Sequence, residues 1–275
     1  MNYKSLFRLY REQPNRECFA QYWVSEGQSW ECIYKDLSEM AKSETWDFIN
    51  KEFQKEGRNY PILVNYLNYT FLRALEQGKV CYSSDPDYAC FNTGLQTQNE
   101  KDIFALFYKT KNATENDKPD WSFYKFVDSY SSDLKPYGKT PEIPTYITDS
   151  TDLVFDVMYD IEINTAHIID NNSERLPEVL RENRTLAITA LNGQKDLVRE
   201  KIKRNYKVAI PHWYNGRIQL LLPLCLTNEN KADLALVADK DVSMKIYRIS
   251  TILTMDMAYI DARLICRPDR DWLNP

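Results

Sequence analysis

Glycine is scarce in this chain, with 7 copies among 275 residues. So low a count argues against a long flexible linker and against a glycine-rich phosphate loop. Nor does any Walker A, GxGxxG, GxSxG or HExxH pattern occur. Nucleotide-loop, dinucleotide, serine-hydrolase and zinc-protease chemistry therefore have no signature here. Cysteine is present but wrongly spaced for zinc. Cys18, Cys32, Cys81, Cys90, Cys225 and Cys266 never lie two to four residues apart, and zinc fingers and ribbons need that spacing. Several sit in apolar runs, as Cys225 does in LLLPLCL, where a reduced thiol behaves as a small hydrophobe. No metal and no cofactor is expected. There is no run of 18 apolar residues, and MNYKSLFRLYREQ carries charges throughout without an apolar core. These absences predict a soluble, cytoplasmic protein with no membrane partner. Positive charge is short as well: 35 Lys and Arg face 40 Asp and Glu, a net charge of −5. The whole-molecule basic footprint of a constitutive nucleic-acid binder is missing.

What is present is apolar and aromatic. The chain is 43% hydrophobic and holds 19 tyrosines, enough for a substantial core whose margins carry wet hydroxyls. Several segments have the spacing of helices or strands. MNYKSLFRLYRE places Leu6, Phe7 and Tyr10 on one side of a short helix over residues 3–12. ECIYKDLSEMAK reads as a helix, with a restart at Ser43-Glu44 into TWDFINKEFQ. PILVNYLNYTFLRALEQ is a helix with Pro61 at its first position and Gly78 just past its end. VCYSSDPDYACFNTG reads as a hairpin around Ser84-Asp85-Pro86-Asp87. Three helices and a hairpin have the order of a winged-helix module, in which the 61–77 helix would expose Asn65, Asn68 and Arg73. The plainer alternative is that these helices cap a neighbouring domain.

Beyond residue 95, DIFALFYK (102–109), WSFYKFV (121–127), DLVFDV (152–157), GRIQLLLPLCL (216–226), ADLALVADK (232–240) and YRISTIL (247–253) read as strands. IQLLLPL and LALV are continuous enough to be covered on both faces. The prolines at 136, 141 and 144 mark an extended loop or domain seam. EINTAHIIDNNSERLPE reads as a polar loop around His167, residues 184–206 as a long helix, and TMDMAYIDARLI as a closing helix. The expected fold is α+β: a helical, winged-helix-like part over 1–95, packed on a mixed-sheet domain over 96–275 that carries a long basic helix.

The phrases NYLNYTF (65–71), ACFNTGL (89–95), DIFALF (102–107), INTAHIIDNN (163–172), RNYKVAIP (204–211), QLLLPLCL (219–226), KADLALV (231–237) and ILTMDMAYIDARL (252–264) occur in order. Together they resemble the family catalogued as domain of unknown function 3825, over roughly residues 60–272. The resemblance implies no activity. Relatives sometimes carry RNA-binding modules beside this domain, which inclines the expectation toward RNA or nucleotides.

The basic helix supplies the first chemistry. Lys195, Arg199, Lys203 and Lys207 recur every fourth residue and form one stripe beside Leu191, Val198 and Ile202. Between Lys195 and Lys207, six basic residues outnumber two acidic ones. Such a patch in an acidic protein attracts phosphate, and Lys203, Arg204 and Lys207 are the expected contacts. Exposed helices also carry cations for solubility alone. Asn92, in the Asn-Thr-Gly of ACFNTGL, and Tyr214, in HWYNG, are the expected pocket residues. Asn92 would offer an amide and Tyr214 a stacking ring. Both segments also read as turns, with Gly94 and Asn215-Gly216 supplying positive φ. His167 and His212 form a candidate acid–base pair for phosphodiester cleavage without metal. Asp149, Asp152, Asp156 and Asp160 read as solvated edge residues, not metal ligands. The leading expectation is an RNA- or nucleotide-binding protein. The alternatives are a metal-independent phosphodiesterase or ribonuclease using the histidines, and a protein-interaction scaffold.

Overall fold

The structure is a computed structural model and describes residues 3–9, 17–25, 29–48, 59–113, 118–229, 231–268 and 273. It divides into two compact units that part between Thr145 and Tyr146, inside the proline-rich stretch read from the sequence as a seam.

The first unit is built on a six-stranded mixed sheet. In chain order its strands are β1 (Ser5–Leu9), β2 (Cys18–Tyr22), β3 (Cys81–Tyr82), β4 (Tyr88–Gln96), β5 (Asp102–Lys109) and β6 (Trp121–Asp128). In space they run β1-β2-β6-β5-β4-β3. β1, β2 and β6 are parallel, whereas β6, β5, β4 and β3 pair antiparallel. Helices α1 (Cys32–Met40) and α2 (Pro61–Glu76) lie between β2 and β3 in sequence. α2 buries Leu63, Leu67 and Phe71. The Phe71 ring packs against Phe19 of β2 at 4.7 Å and Phe91 of β4 at 5.2 Å between centroids. On the opposite face, a 3₁₀ helix at Ser132–Tyr137 covers Cys90, Phe104, Leu106 and Val127 with Leu134 and Tyr137.

This arrangement corrects the winged-helix expectation. The described part of residues 3–12 is a strand, because SLFRL finds a parallel partner in β2; Tyr10 lies outside the described residues. Residues 45–48 are not helical, and the rest of TWDFINKEFQ lies outside the described residues. The side chains proposed to read bases are already engaged. Asn65 donates to Pro61 O at 2.8 Å, Asn68 accepts from the Leu6 N–H at 2.8 Å, and Arg73 binds Glu76 at 2.6 Å and Thr145 O at 3.0 Å. A boundary at 95/96 would cut the β4–β5 ladder, which pairs Gln96 with Asp102.

The second unit holds a five-stranded sheet made of β7 (Asp160–Ile163), β8 (Ile210–Tyr214), β9 (Arg217–Leu224), β10 (Leu234–Asp241) and β11 (Ile246–Leu253), in the order β7-β11-β10-β9-β8. Only β7 and β11 are parallel. Before β8 come α3 (Thr165–Asn172), α4 (Glu178–Arg181) and α5 (Arg184–Arg204); α6 (Met255–Arg263) follows β11. α5 starts on an Asn183 N-cap that accepts from Leu186 N. Its Ala187, Leu191, Val198 and Ile202 join Ile168 and Ile169 of α3 against Leu220, Leu222, Leu224 and Leu236 of the sheet. Side chains alternate along a strand, so Gln219, Leu221 and Val237 point the other way, and α6 covers that face with Ala258 and Ala262. Strands β9 and β10 are thus buried on both sides, as their apolar runs predict. DLVFDV is not a strand: a 3₁₀ turn occupies Ser150–Leu153, and the strand comes later at DIEI. The loop expected around His167 is the helix α3, started by the Asn164 side chain accepting from His167 N at 3.1 Å.

Candidate ligand-binding groove

The outer face of the first sheet carries an open groove of about 610 Å³, lined by tyrosines from three adjacent strands. Tyr88 on β4 and Tyr108 on β5 are direct cross-strand partners. Their neighbours Ala89 and Phe107 pair on the α2 side, so alternation turns both tyrosines outward. On β6, Phe123 pairs with Phe107 and Lys125 with Leu106, and the register shifts between them. Tyr124 is the extra residue of that bulge, and the bulge re-aims it into the groove. Tyr88, Tyr108 and Tyr124 are 48%, 38% and 57% exposed, large values for rings grouped in one hollow. Among the described residues none of the three packs against another aromatic ring, and one face of Tyr124 lies under the Lys125 ammonium.

The 3₁₀ helix forms the wall with Ser132, Asp133, Pro136 and Tyr137. Tyr137 is fixed by donating its hydroxyl to Ala89 O at 3.2 Å, and burial pushes its phenol above the ordinary tyrosine value. Lys125 reaches Asp133 at 2.7 Å and stands 4.9 Å from the centre of the Tyr124 ring. The Lys125 ammonium holds the Asp133 carboxyl below its usual range. The rim therefore offers aromatic faces, a carboxylate and a hydroxyl, with Lys125 already engaged by a partner.

The residues expected from the sequence fall elsewhere. Asn92 is buried within β4 at a second bulge, between Asn92 and Gln96. It donates to Asp102 Oδ2 at 3.0 Å and to Pro141 O at 3.4 Å, and it accepts from Gly94 N at 2.9 Å. Its role is to hold the bulge. Gly94 has φ +74°, and a Cβ there would meet the Tyr66 hydroxyl at 2.5 Å, so only glycine fits.

On α5, Lys203 and Arg204 both close onto Glu200 at 2.8 Å, while Arg199 binds Asp160 at 2.7 Å. Glu200 is shifted below the usual carboxylate range by these partners. Lys207 is exposed, its backbone N–H bound to Asn205 Oδ1 at 3.1 Å. The helix ends at Arg204 and Lys207 falls in the following 3₁₀ turn at Tyr206–Val208, so the expected stripe stops at Lys203. Asp160 and Glu200 hold Arg199, Lys203 and Arg204. Tyr214 is exposed at the mouth of the β8–β9 hairpin, whose turn is Asn215-Gly216, both with positive φ as read from the sequence.

The two histidines are separated by the second sheet. His167 is exposed on α3, next to Asn171 at 3.2 Å. His212 pairs with Gln219 on the face under α6, is 1% exposed, and has no hydrogen-bond partner on either ring nitrogen. Asp261 of α6 approaches its Nδ1 to 3.7 Å. Burial lowers the His212 pKa to about 4 and raises that of Asp261 to about 7. A sealed imidazole on the far face from His167 cannot share a substrate with it, so the geometry does not assemble a histidine acid–base pair. Asp152 is bound to Lys240 at 3.3 Å and Asp149 caps the turn at Ser150. Among the described residues, no three His, Cys, Asp or Glu side chains converge as metal ligands would.

The groove tyrosines had a signal in the sequence. DIFALFYK ends an unbroken apolar run on Tyr108, and WSFYKFV sets Tyr124 between Phe123 and Lys125. The geometry thus defines an α+β protein of two units, one with an aromatic slot on its sheet. The chain belongs to the family described as Domain of unknown function (DUF3825), which matches residues 37–272. No curated protein and no solved structure matches it.

Proposed function

We propose that this protein binds single-stranded RNA or a nucleotide by stacking bases in the groove of Tyr88, Tyr108, Tyr124 and Tyr137. One observation carries the reading: three exposed tyrosines stand on three neighbouring strands around a single hollow. Neighbouring strands lie roughly 4.8 Å apart, a spacing at which successive unstacked bases meet successive rings. Sheets that bind single strands present aromatics in this way. Asp133 and Ser132 line the same groove and would pair with base edges or ribose hydroxyls, which are donors and acceptors.

Fluorescence titration with short oligouridylate, oligoadenylate and mononucleotides tests the proposal. Each stacking contact contributes about 1–3 kcal/mol. Tyr108→Ala and Tyr124→Ala should therefore each weaken binding by about one to two orders of magnitude. Tyr108→Phe should keep most of the affinity. Lys203→Glu with Arg204→Glu, in the second unit, should change it little. Unaltered affinity in both alanine variants, or affinity abolished only by charge reversal on α5, would sink the reading.

A further inference from the structure

Cys81 and Cys90 face each other across the β3–β4 hairpin as direct Cα partners. Ser83 N donates to Tyr88 O at 3.0 Å, which makes Ser83 and Tyr88 a hydrogen-bonded pair. Two residues further from the turn, Cys81 and Cys90 form the next pair of that kind, with an expected Cα separation of about 5.5 Å. A disulfide spans roughly 4.4–6.8 Å between Cα atoms and about 3.5–4.5 Å between Cβ atoms. Opposed Cβ atoms of a hydrogen-bonded pair stand about 5.5 Å apart, so the bond requires β3 to close on β4 by about 1 Å. Opposed residues project to the same face, and both cysteines pack in the small cluster beneath Leu134 and Tyr137. Both thiols are free. β3 is a two-residue strand at the edge of the sheet, so it can move toward β4 without breaking a second ladder.

The two thiols are not equivalent. Cys90 is buried and Cys81 is partly exposed. Burial raises both thiols above the ordinary value; at Cys81 the Lys139 ammonium opposes the rise and the Glu142 carboxylate adds to it. Cys81 is the one that an external reagent can reach and the one with the larger thiolate fraction.

We propose that Cys81 and Cys90 are a thiol–disulfide exchange site, converted by a small-molecule disulfide such as oxidised glutathione into a reversible cross-strand bond. The Cys81 thiolate attacks one sulfur of the reagent, forms a mixed disulfide and expels one small thiolate. Cys90 then loses its proton to solvent and attacks the Cys81 sulfur, releasing the second small thiolate. Two protein thiols are oxidised to one disulfide, and one reagent disulfide is reduced to two thiols that take up the two protons. The new bond tightens the hairpin that carries Tyr88, directly under Tyr137. Its effect on ligand affinity rests on the stacking reading above, whereas formation of the bond does not.

The test uses the full chain, native, with oxidised glutathione. The expected result is loss of two hydrogens by intact mass, a peptide link joining Cys81 to Cys90, and two fewer thiols open to alkylation. Cys90→Ser should stop at a glutathione adduct on Cys81, while Cys81→Ser should leave Cys90 unreacted. The rate should rise about tenfold per pH unit below the Cys81 pKa, because only the thiolate attacks. No Cys81–Cys90 link in the native protein, or a link appearing only in denaturant, would overturn the inference. A chain that binds oligouridylate but never forms the link defeats this inference alone. A chain that forms the link but binds no nucleic acid or nucleotide in either redox state defeats the stacking reading alone.

Discussion

His212 and Asp261 are two ionisable side chains held against their own charges, and they tie stability to pH with opposite signs. Burial lowers His212 from 6.5 to about 4 and raises Asp261 from 3.8 to about 7. Below pH 6.5 the unfolded imidazole takes a proton that the folded one refuses until about pH 4. Its contribution is therefore complete above pH 6.5 and is lost as pH falls. The unfolded carboxyl ionises above pH 3.8, while the folded one keeps its proton until about pH 7. Its contribution is complete below pH 3.8 and is lost as pH rises. Between pH 4 and 6.5 the two slopes oppose each other. Relative to the parent, Asp261→Asn should gain stability steadily from pH 4 toward 7, and His212→Gln should gain as pH falls over the same window. Urea unfolding at four pH values across that window reads both. Parallel profiles for all three proteins would show that neither side chain is held out of its ordinary range.

Elements closed by their own neighbours were the legible ones. α2 announces itself through Pro61 and Gly78, the β8–β9 turn through Asn215-Gly216, and β9 and β10 through unbroken apolar runs. Elements that depend on a distant partner were not. SLFRL is a strand because β2 pairs with it in parallel, and β2 is itself held on its other edge by β6, over a hundred residues later, and no local spacing reports that. The groove shows the same division. Outward tyrosines on β5 and β6 follow from alternation, but the bulge that turns in Tyr124 and the 3₁₀ wall depend on tertiary packing. The correction to α2 is itself testable. A helix that reads DNA keeps its exposed face for a ligand, whereas this one spends Phe71 on the sheet, fully buried between Phe19 and Phe91. Phe71→Ala should cost about 3–5 kcal/mol of stability. Glu76→Ala, exposed on the same helix and in a surface ion pair with Arg73, should fall within roughly 1 kcal/mol of the parent. The denaturant midpoint measures both, and equal losses would mean that the helix is not seated as described.

The molecule as a whole is an anion, at net charge −5, and this constrains how it can hold a nucleic acid. A polyanion is repelled at long range, so the proposed ligand would gain its affinity mainly from stacking, with few phosphate contacts. The stacking groove and the α5 stripe differ sharply here. Beside the groove stand Lys125, already bound to Asp133, and Lys135 on the 3₁₀ helix, so one or two phosphates at most would be neutralised. Single-strand binding loses affinity with salt at a log–log slope of about −0.7 per phosphate neutralised. Groove binding should therefore show a slope of about −0.7 to −1.4. A strand laid along Lys195, Arg199, Lys203 and Lys207 would instead give a slope of about −3, and would first have to displace Asp160 from Arg199 and Glu200 from Lys203. Titrating oligouridylate at several salt concentrations separates the two without any substitution. A shallow slope that persists in Lys203→Glu, with affinity lowered but the slope kept in Tyr124→Ala, is what base stacking requires; a steep one would move the ligand from the sheet to the helix.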